Sequence, residues 1–210
     1  MTATGLFLVF EGGEGSGKST QIQRLRTFLE ESGHKVVVTR EPGGSSVGEE
    51  LRRLVLQHRD QPISPKTEAL IYAADRAQHV EEVIRPALEA GAAVISDRYV
   101  DSSIAYQGLA RGLGLEQIES LNHWGTGGLL PDLVFLLDLD PAVGLRRSGE
   151  TDRIESEGVE FHVGVRDAYL QLADRYADRF RVLDAGLPPM ELETQIKAIV
   201  QSLLERAEAR

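Results

Sequence analysis

Leu6-Phe7-Leu8-Val9-Phe10-Glu11-Gly12-Gly13-Glu14-Gly15-Ser16-Gly17-Lys18-Ser19-Thr20 is the stretch that decides the fold. The apolar run Leu6 to Glu11 reads as a buried strand. Beyond the glycines, Ile22, Leu25, Phe28 and Leu29 recur at helical spacing through Gln21 to Glu30, and Gly33 closes the helix. Between strand and helix, Gly12 to Ser19 satisfies G-x-x-x-x-G-K-[ST] in the context the pattern requires. Glycines at Gly12, Gly13, Gly15 and Gly17 leave backbone N–H groups free to converge on phosphates, with Glu14, Ser16 and Thr20 completing the loop and the helix start. Lys18 is placed to reach β- and γ-phosphate oxygens, and Ser19 to ligate Mg²⁺. A bound ATP is the expectation.

Working outward, the same rhythm continues. Lys35 to Thr39 is a β-branched strand, followed by a Pro-Gly-Gly turn and a helix through Leu51, Leu54 and Val55. Helices are predicted over Pro65 to about His79 and onward to Ala90, then strands at Ala93 to Ser96, Leu133 to Leu137 and Arg181 to Leu183, and a closing amphipathic helix from Met190 to about Glu205. Alternating elements predict an α/β fold, a doubly wound, parallel, five-stranded sheet flanked by helices, in one domain over residues 1–210. Ligands of such sheets collect at the strands' carboxyl ends, where Glu11, Arg40-Glu41, Asp97-Arg98, Asp138 and Asp184 fall.

Composition narrows the function. Without cysteine, disulfides and thiolate-held zinc are excluded, and the five histidines show no metal-ligand spacing. A net charge of −10 with no basic block argues against a nucleic-acid partner, while no stretch is long enough to span a bilayer, so cytoplasmic residence is expected. The histidines, His34, His58, His79, His123 and His162, are read as surface or capping residues. There is no N-K-x-D guanine signature, the sole asparagine being Asn122.

Further motifs separate the chemistries that share this loop. In order they are the glycine-rich loop with acidic Glu14, Arg40-Glu41-Pro42-Gly43-Gly44, Tyr72-Ala73-Ala74-Asp75-Arg76, Asp97-Arg98-Tyr99, Ala105-Tyr106-Gln107-Gly108, Asp152-Arg153-Ile154-Glu155 and Asp184-Ala185. Over essentially the whole chain this series resembles the bacterial thymidylate kinases. The resemblance implies ATP-dependent, Mg²⁺-assisted phosphorylation of dTMP to dTDP and a homodimer. A kinase of another nucleoside monophosphate or of a deoxynucleoside stays open on the same scaffold, as does a P-loop ATP-binding regulator that transfers nothing.

The resemblance also assigns roles by position. Tyr72 would stack on thymine, with Arg76 bonding its carbonyl from the same helix face; Ser103 and Gln107 would line the base site, and Tyr106 would crowd the sugar 2′ position. Glu14 would contact the acceptor's sugar hydroxyl, and Glu41 and Pro42 would approach its phosphate. Arg98 would grip that phosphate, since a guanidinium matches its oxygens bidentately, and Asp97 would hold Mg²⁺ directly or through water. The polar stretch Ser148 to Gly158 reads as a mobile lid, counted from about residue 146. With no arginine in the phosphate loop, Arg153 is expected over the γ-phosphate, Arg147 or Arg146 inheriting the role otherwise. Arg146 and Ala185 are alternatively expected around adenine. Gly164, in Phe161 to Arg166, reads as drift at a solvated helix position.

Overall fold

The central strand alternates between two cores. In β1 (Phe7–Glu11), Phe7 and Val9 enter one apolar cluster with Tyr99, Val134, Tyr169 and Leu172, while Leu8 and Phe10 enter a second with Ile22, Leu25, Phe135, Ile196 and Val200. Burial on both faces explains why this run shows no polar alternation. Each fully buried aliphatic or aromatic side chain contributes ~1.5–3 kcal/mol.

The computed structural model describes residues 5–148 and 152–208. β1, β2 (Val36–Arg40), β3 (Ala93–Asp97), β4 (Leu133–Asp138) and β5 (Phe180–Asp184) form a parallel sheet in the order β2-β3-β1-β4-β5. Chain order reverses on either side of β1, and the crevice beyond its carboxyl end is where such folds bind ligands. The five strands lie within a residue or two of those read from the sequence.

Helices α1 (Lys18–Glu31) and α9 (Pro189–Glu208) pack on each other beneath the second cluster. α2 (Ser46–Leu56) starts where Ser45 Oγ accepts from Gly48 N at 3.0 Å. α3 (Pro65–His79) starts where Ser64 Oγ accepts from Thr67 N and Pro65 needs no N–H partner. α3 runs on through a wide π-type turn, Val80–Ile84, into α4 (Arg85–Glu89). After β3, α5 (Val100–Ser103) passes into a second such segment, Ile104–Ala110, and α6 (Leu115–Thr126) lies against α3. α7 (Pro141–Arg147) and α8 (Val159–Arg175) flank the lid stretch, of which 149–151 fall outside the described residues.

Among the described residues no helix is long and apolar enough to cross a membrane. A Cβ built on Gly164 in α8 would meet nothing within 4 Å, in keeping with a tolerant position.

Candidate active site

The phosphate loop folds back on its own lysine. Gly15 and Gly17 hold φ of +64° and +89°, conformations that side chains resist, and Ser16 Oγ donates to Gly13 O at 2.9 Å. Lys18 Nζ donates to the carbonyls of Gly12 and Gly13 at 3.2 and 3.0 Å. Burial lowers its pKa and the nearby Arg98 cation adds to this, while Asp97, Glu14 and Glu11 oppose.

Arg98 crosses the mouth of this loop. It is the residue other than glycine, among those described, with a positive φ, 70°, a conformation costing ~1–2 kcal/mol in an L-residue. Its surroundings hold it there: Arg98 N donates to Phe10 O at 2.9 Å, and Ser96 Oγ donates to Arg98 O at 2.7 Å. The guanidinium donates to Gly12 O at 3.1 Å, Tyr169 Oη at 3.2 Å and Glu14 Oε1 at 2.5 Å, and lies 5.2 Å from the Tyr106 ring centre. Burial alone would raise the Glu14 pKa, but Arg98 and then Lys18 overcome it and hold it at about 2. Tyr106 Oη donates to the same carboxylate at 3.2 Å.

A cavity of about 500 Å³ opens from here. It is lined by the loop from Glu14 to Thr20, by Tyr72 and Arg76 of α3 with Ser103, Tyr106 and Gln107, and by Asp97, Arg98, Glu41 and Pro42. Tyr72, Arg76, Arg98, Ser103, Tyr106, Gln107, Glu41 and Pro42, read from the sequence for the acceptor, all line this cavity. Arg76 is 1% exposed: Nε donates to Glu41 Oε2 at 2.7 Å, Nη1 to Ser103 Oγ at 2.9 Å and to Asn122 Oδ1, and Nη2 to Tyr99 O at 3.0 Å. The π-type segment Ile104–Ala110 carries Tyr106 and Gln107, a distortion that commonly marks functional sites.

Other expected residues are engaged by partners of their own or stand outside the cavity lining. Both Glu41 oxygens are taken, by Arg76 and by His79 Nδ1 at 2.9 Å, so its carboxylate faces a cation and an imidazole rather than an acceptor phosphate it would repel. The reading of all the histidines as surface or capping residues is corrected here, because His79 is fully buried, with Nε2 2.6 Å from Thr39 Oγ1, and His162 is 4% exposed. Gly12 and Gly13 line a small cavity behind the loop. Ala185 packs in the second core, and Arg146 is exposed and outside the cavity lining. Asp138 is bidentate to Arg166 at 2.6 and 2.8 Å, and Asp184 Oδ1 accepts from Gly186 N at 2.8 Å, so these strand ends serve the scaffold.

Arg153 is absent from the cavity lining. Its Nε donates to Val55 O at 2.8 Å and its Nη2 to Glu68 Oε2 at 2.6 Å, because the buried carboxylate of Glu68 is a stronger attractor than solvent. The lid-side arginine that borders the cavity is Arg147, alongside Asp152, Ile154 and Glu155. The sequence reading missed Arg52, which also borders the cavity and donates through Nη1 to Pro42 O at 2.9 Å. Its signal was available: Arg52 stands four residues after buried Gly48 and three before buried Val55, the inward face of α2.

For Mg²⁺, Ser19 and Asp97 both line the cavity, an all-oxygen pair suited to a hard cation that takes few protein ligands and completes its shell from phosphate and water. No cluster of three or more His, Cys, Asp or Glu poised for a metal exists among the described residues. Glu11 is not a candidate, since it accepts from Tyr99 N, Ser102 N, Ser102 Oγ and Tyr169 Oη.

A parallel sheet with this loop at its switch point and an arginine-lined pocket opposite defines a P-loop phosphotransferase of small acceptors. The family model described as thymidylate kinase matches residues 10–196. Curated thymidylate kinases of Clavibacter sepedonicus and Gloeobacter violaceus are 53% and 50% identical, covering 96% and 98% of this chain and 97% and 99% of their own. The thymidylate kinase of Desulfovibrio desulfuricans is 46% identical, covering 96% of this chain and 97% of its own. The chain belongs to the thymidylate kinase family.

Proposed function

We propose that this protein transfers the γ-phosphoryl group of ATP to dTMP, giving dTDP and ADP, a step toward dTTP. One observation carries the reading: the phosphate loop, Tyr72, Arg76 and Arg98 line a single cavity, and Arg98 is bonded to the loop through Gly12 O and Glu14. Such transfer asks for positioning and charge neutralisation more than covalent catalysis. Lys18 neutralises donor phosphate, the backbone amides from Glu14 to Thr20 cradle it, and Arg98 and Arg52 hold the acceptor phosphate. Arg147 at the lid's base supplies charge that the loop lacks. Ser19 and Asp97 would hold Mg²⁺, which when bound would supply further charge neutralisation.

Tyr72 offers its ring to the base, and the Arg76 and Ser103 groups fix a donor pattern that a thymine carbonyl meets and a cytosine amino group does not. Tyr106, anchored on Glu14, fills the space a ribose 2′ hydroxyl requires. Exposed Leu70 on α3 and Trp124 on α6, at 58% and 83%, support a homodimer through these helices, and cytoplasmic residence belongs to the same reading.

The test is ADP release from Mg-ATP with dTMP, dUMP, AMP, CMP, GMP and thymidine offered separately. Fast turnover is expected with dTMP; equal rates with all, or none with any, refute the assignment. Sedimentation of Trp124→Glu beside the native protein tests the dimer.

A further inference from the structure

Glu68 is 1% exposed on α3, one turn before Tyr72 and two before Arg76, on the same helix face. Four groups converge on its carboxylate's two oxygens. Oε1 accepts from Gln107 Nε2 at 2.9 Å and Arg111 Nε at 3.4 Å; Oε2 accepts from Arg153 Nη2 at 2.6 Å and, more distantly, from Arg111 Nη2 at 3.5 Å. Arg111 in turn grips the lid's far side, with Nη2 2.6 Å from Glu157 Oε1 and its guanidinium 4.4 Å from the Phe161 ring centre. Arg153 adds backbone ties to α2, through its own N to Leu56 O at 3.1 Å.

A buried carboxylate is costly unless paired, and an apolar residue would fill the same space without that cost. What the charge adds is registry. Asp152, Ile154 and Glu155, which border the cavity, belong to the arm that Arg153 and Glu157 fasten, while Gln107 and Tyr72 belong to the acceptor wall. We propose that Glu68 is a positioning residue for phosphoryl transfer: its carboxylate docks the Asp152–Gly158 arm and the Gln107 segment onto the helix that carries Tyr72 and Arg76. The lid-side wall is thereby set by the acceptor wall. This rests on the kinase reading for its kinetic consequence, and on geometry alone for its structural one.

Glu68→Gln keeps shape and the bond from Gln107 but removes the charge that holds both arginines. Relative to the native enzyme, KM for dTMP is expected to rise about tenfold and kcat to fall about tenfold, while KM for ATP stays within about twofold. Hydrogen exchange at the Arg153–Glu157 amides should quicken by about tenfold or more while the α3 amides keep their protection. Combining it with Arg153→Gln should add nothing beyond the larger single effect. Native-like kinetics, unchanged lid exchange, or single effects that multiply in the double variant would each overturn the proposal. Should Glu68→Gln fail to fold by circular dichroism, Arg153→Gln alone carries the test, with the same exchange and KM split expected and native values decisive against it. A native enzyme inactive on dTMP would sink the kinase reading instead, leaving the exchange result to judge the docking.

Discussion

Glu14 of the phosphate loop and Arg98 at the end of β3 are joined by a 2.5 Å ion pair, so the loop and the end of β3 form one electrostatic unit. Arg98 also reaches Gly12 O and Tyr169 Oη, a three-way span that needs a planar fork. Arg98→Lys is therefore expected to lower kcat/KM for dTMP by ~10²–10³. Steady-state kinetics decide it; a loss below about tenfold would remove Arg98 from the clamp.

The same pair fixes how Glu14 responds to acid. With its pKa held at about 2, Glu14 is ionised throughout the neutral range, so the kinetic defect of Glu14→Gln should not vary between about pH 6 and 9. A depressed carboxylate stabilises the fold above its ordinary value of 4.5, and that contribution is lost as pH falls from there toward 2. Urea unfolding of both proteins should show their stabilities converging in that window. Convergence at a higher pH contradicts the assignment.

Glu11 carries the opposite sign. Burial first, then the Asp101 charge, push its pKa up to about 7, against the pull of Arg98 and its hydroxyl donors. Such an acid takes up a proton on folding between 4.5 and about 7, so its contribution turns against the fold as pH rises through that window. Glu11→Gln should gain on the native protein by on the order of 3 kcal/mol across it. A difference curve flat with pH would show the carboxylate to be ionised throughout.

Arg76 is both wall and keystone. Removing it leaves the Glu41 carboxylate, on a residue 3% exposed, with His79 as its remaining side-chain hydrogen-bond partner among the described residues. Arg76→Met should cost about 3–5 kcal/mol, since breaking a buried pair leaves an uncompensated charge. If chemical denaturation shows a loss under about 1 kcal/mol, the network is not holding the helix.

How much of this was legible depends on what a residue's neighbours in sequence reveal. β1 and the phosphate loop announce themselves because every backbone constraint, glycine by glycine, is local. Pro65 and Ser64 mark the start of α3 for the same reason, and the helix stands where it was read. The sequence offers no clear boundaries from Val100 to Ala110, because the wide π-type segment Ile104–Ala110 interrupts the 3.6-residue period. His79 looked like a surface residue because its partners, Glu41 and Thr39, lie 38 and 40 positions away. Arg153 was misdirected likewise: a lid arginine points to phosphate by position, and only the fold brings Glu68, 85 residues earlier, within 2.6 Å.

Arg147, exposed at the end of α7 and bordering the cavity, should then carry the lid-side charge. Arg147→Ala is expected to reduce kcat by at least about a hundredfold, against a clamp ceiling of ~10³ to 10⁵. Arg146→Ala, outside the cavity lining, serves as the comparison and should stay within about twofold. Equal defects in the two variants would assign the effect to net charge near the lid rather than to a placed guanidinium.

α7 meets the phosphate loop through two glycines with no room to spare. A Cβ on Gly144 would lie 2.2 Å from Glu14 O, and one on Gly15 would lie 2.2 Å from Gly144 O. Both obstacles are backbone, so neither can rotate aside. In an ordinary helix interior, glycine to alanine stabilises by ~1 kcal/mol. Gly144→Ala should do the reverse here: the loop must shift away from α7, carrying Glu14 off Arg98 and tilting the amides proposed to hold the donor phosphates. KM for ATP is expected to rise about tenfold or more, with thermal stability lowered despite the better helix former. Gly164→Ala in α8, where a Cβ meets nothing, should show the ordinary helix gain with native kinetics. A Gly144→Ala protein as stable and active as the native one would mean that α7 and the loop are free to part, and that the lid's base does not ride on the phosphate cradle.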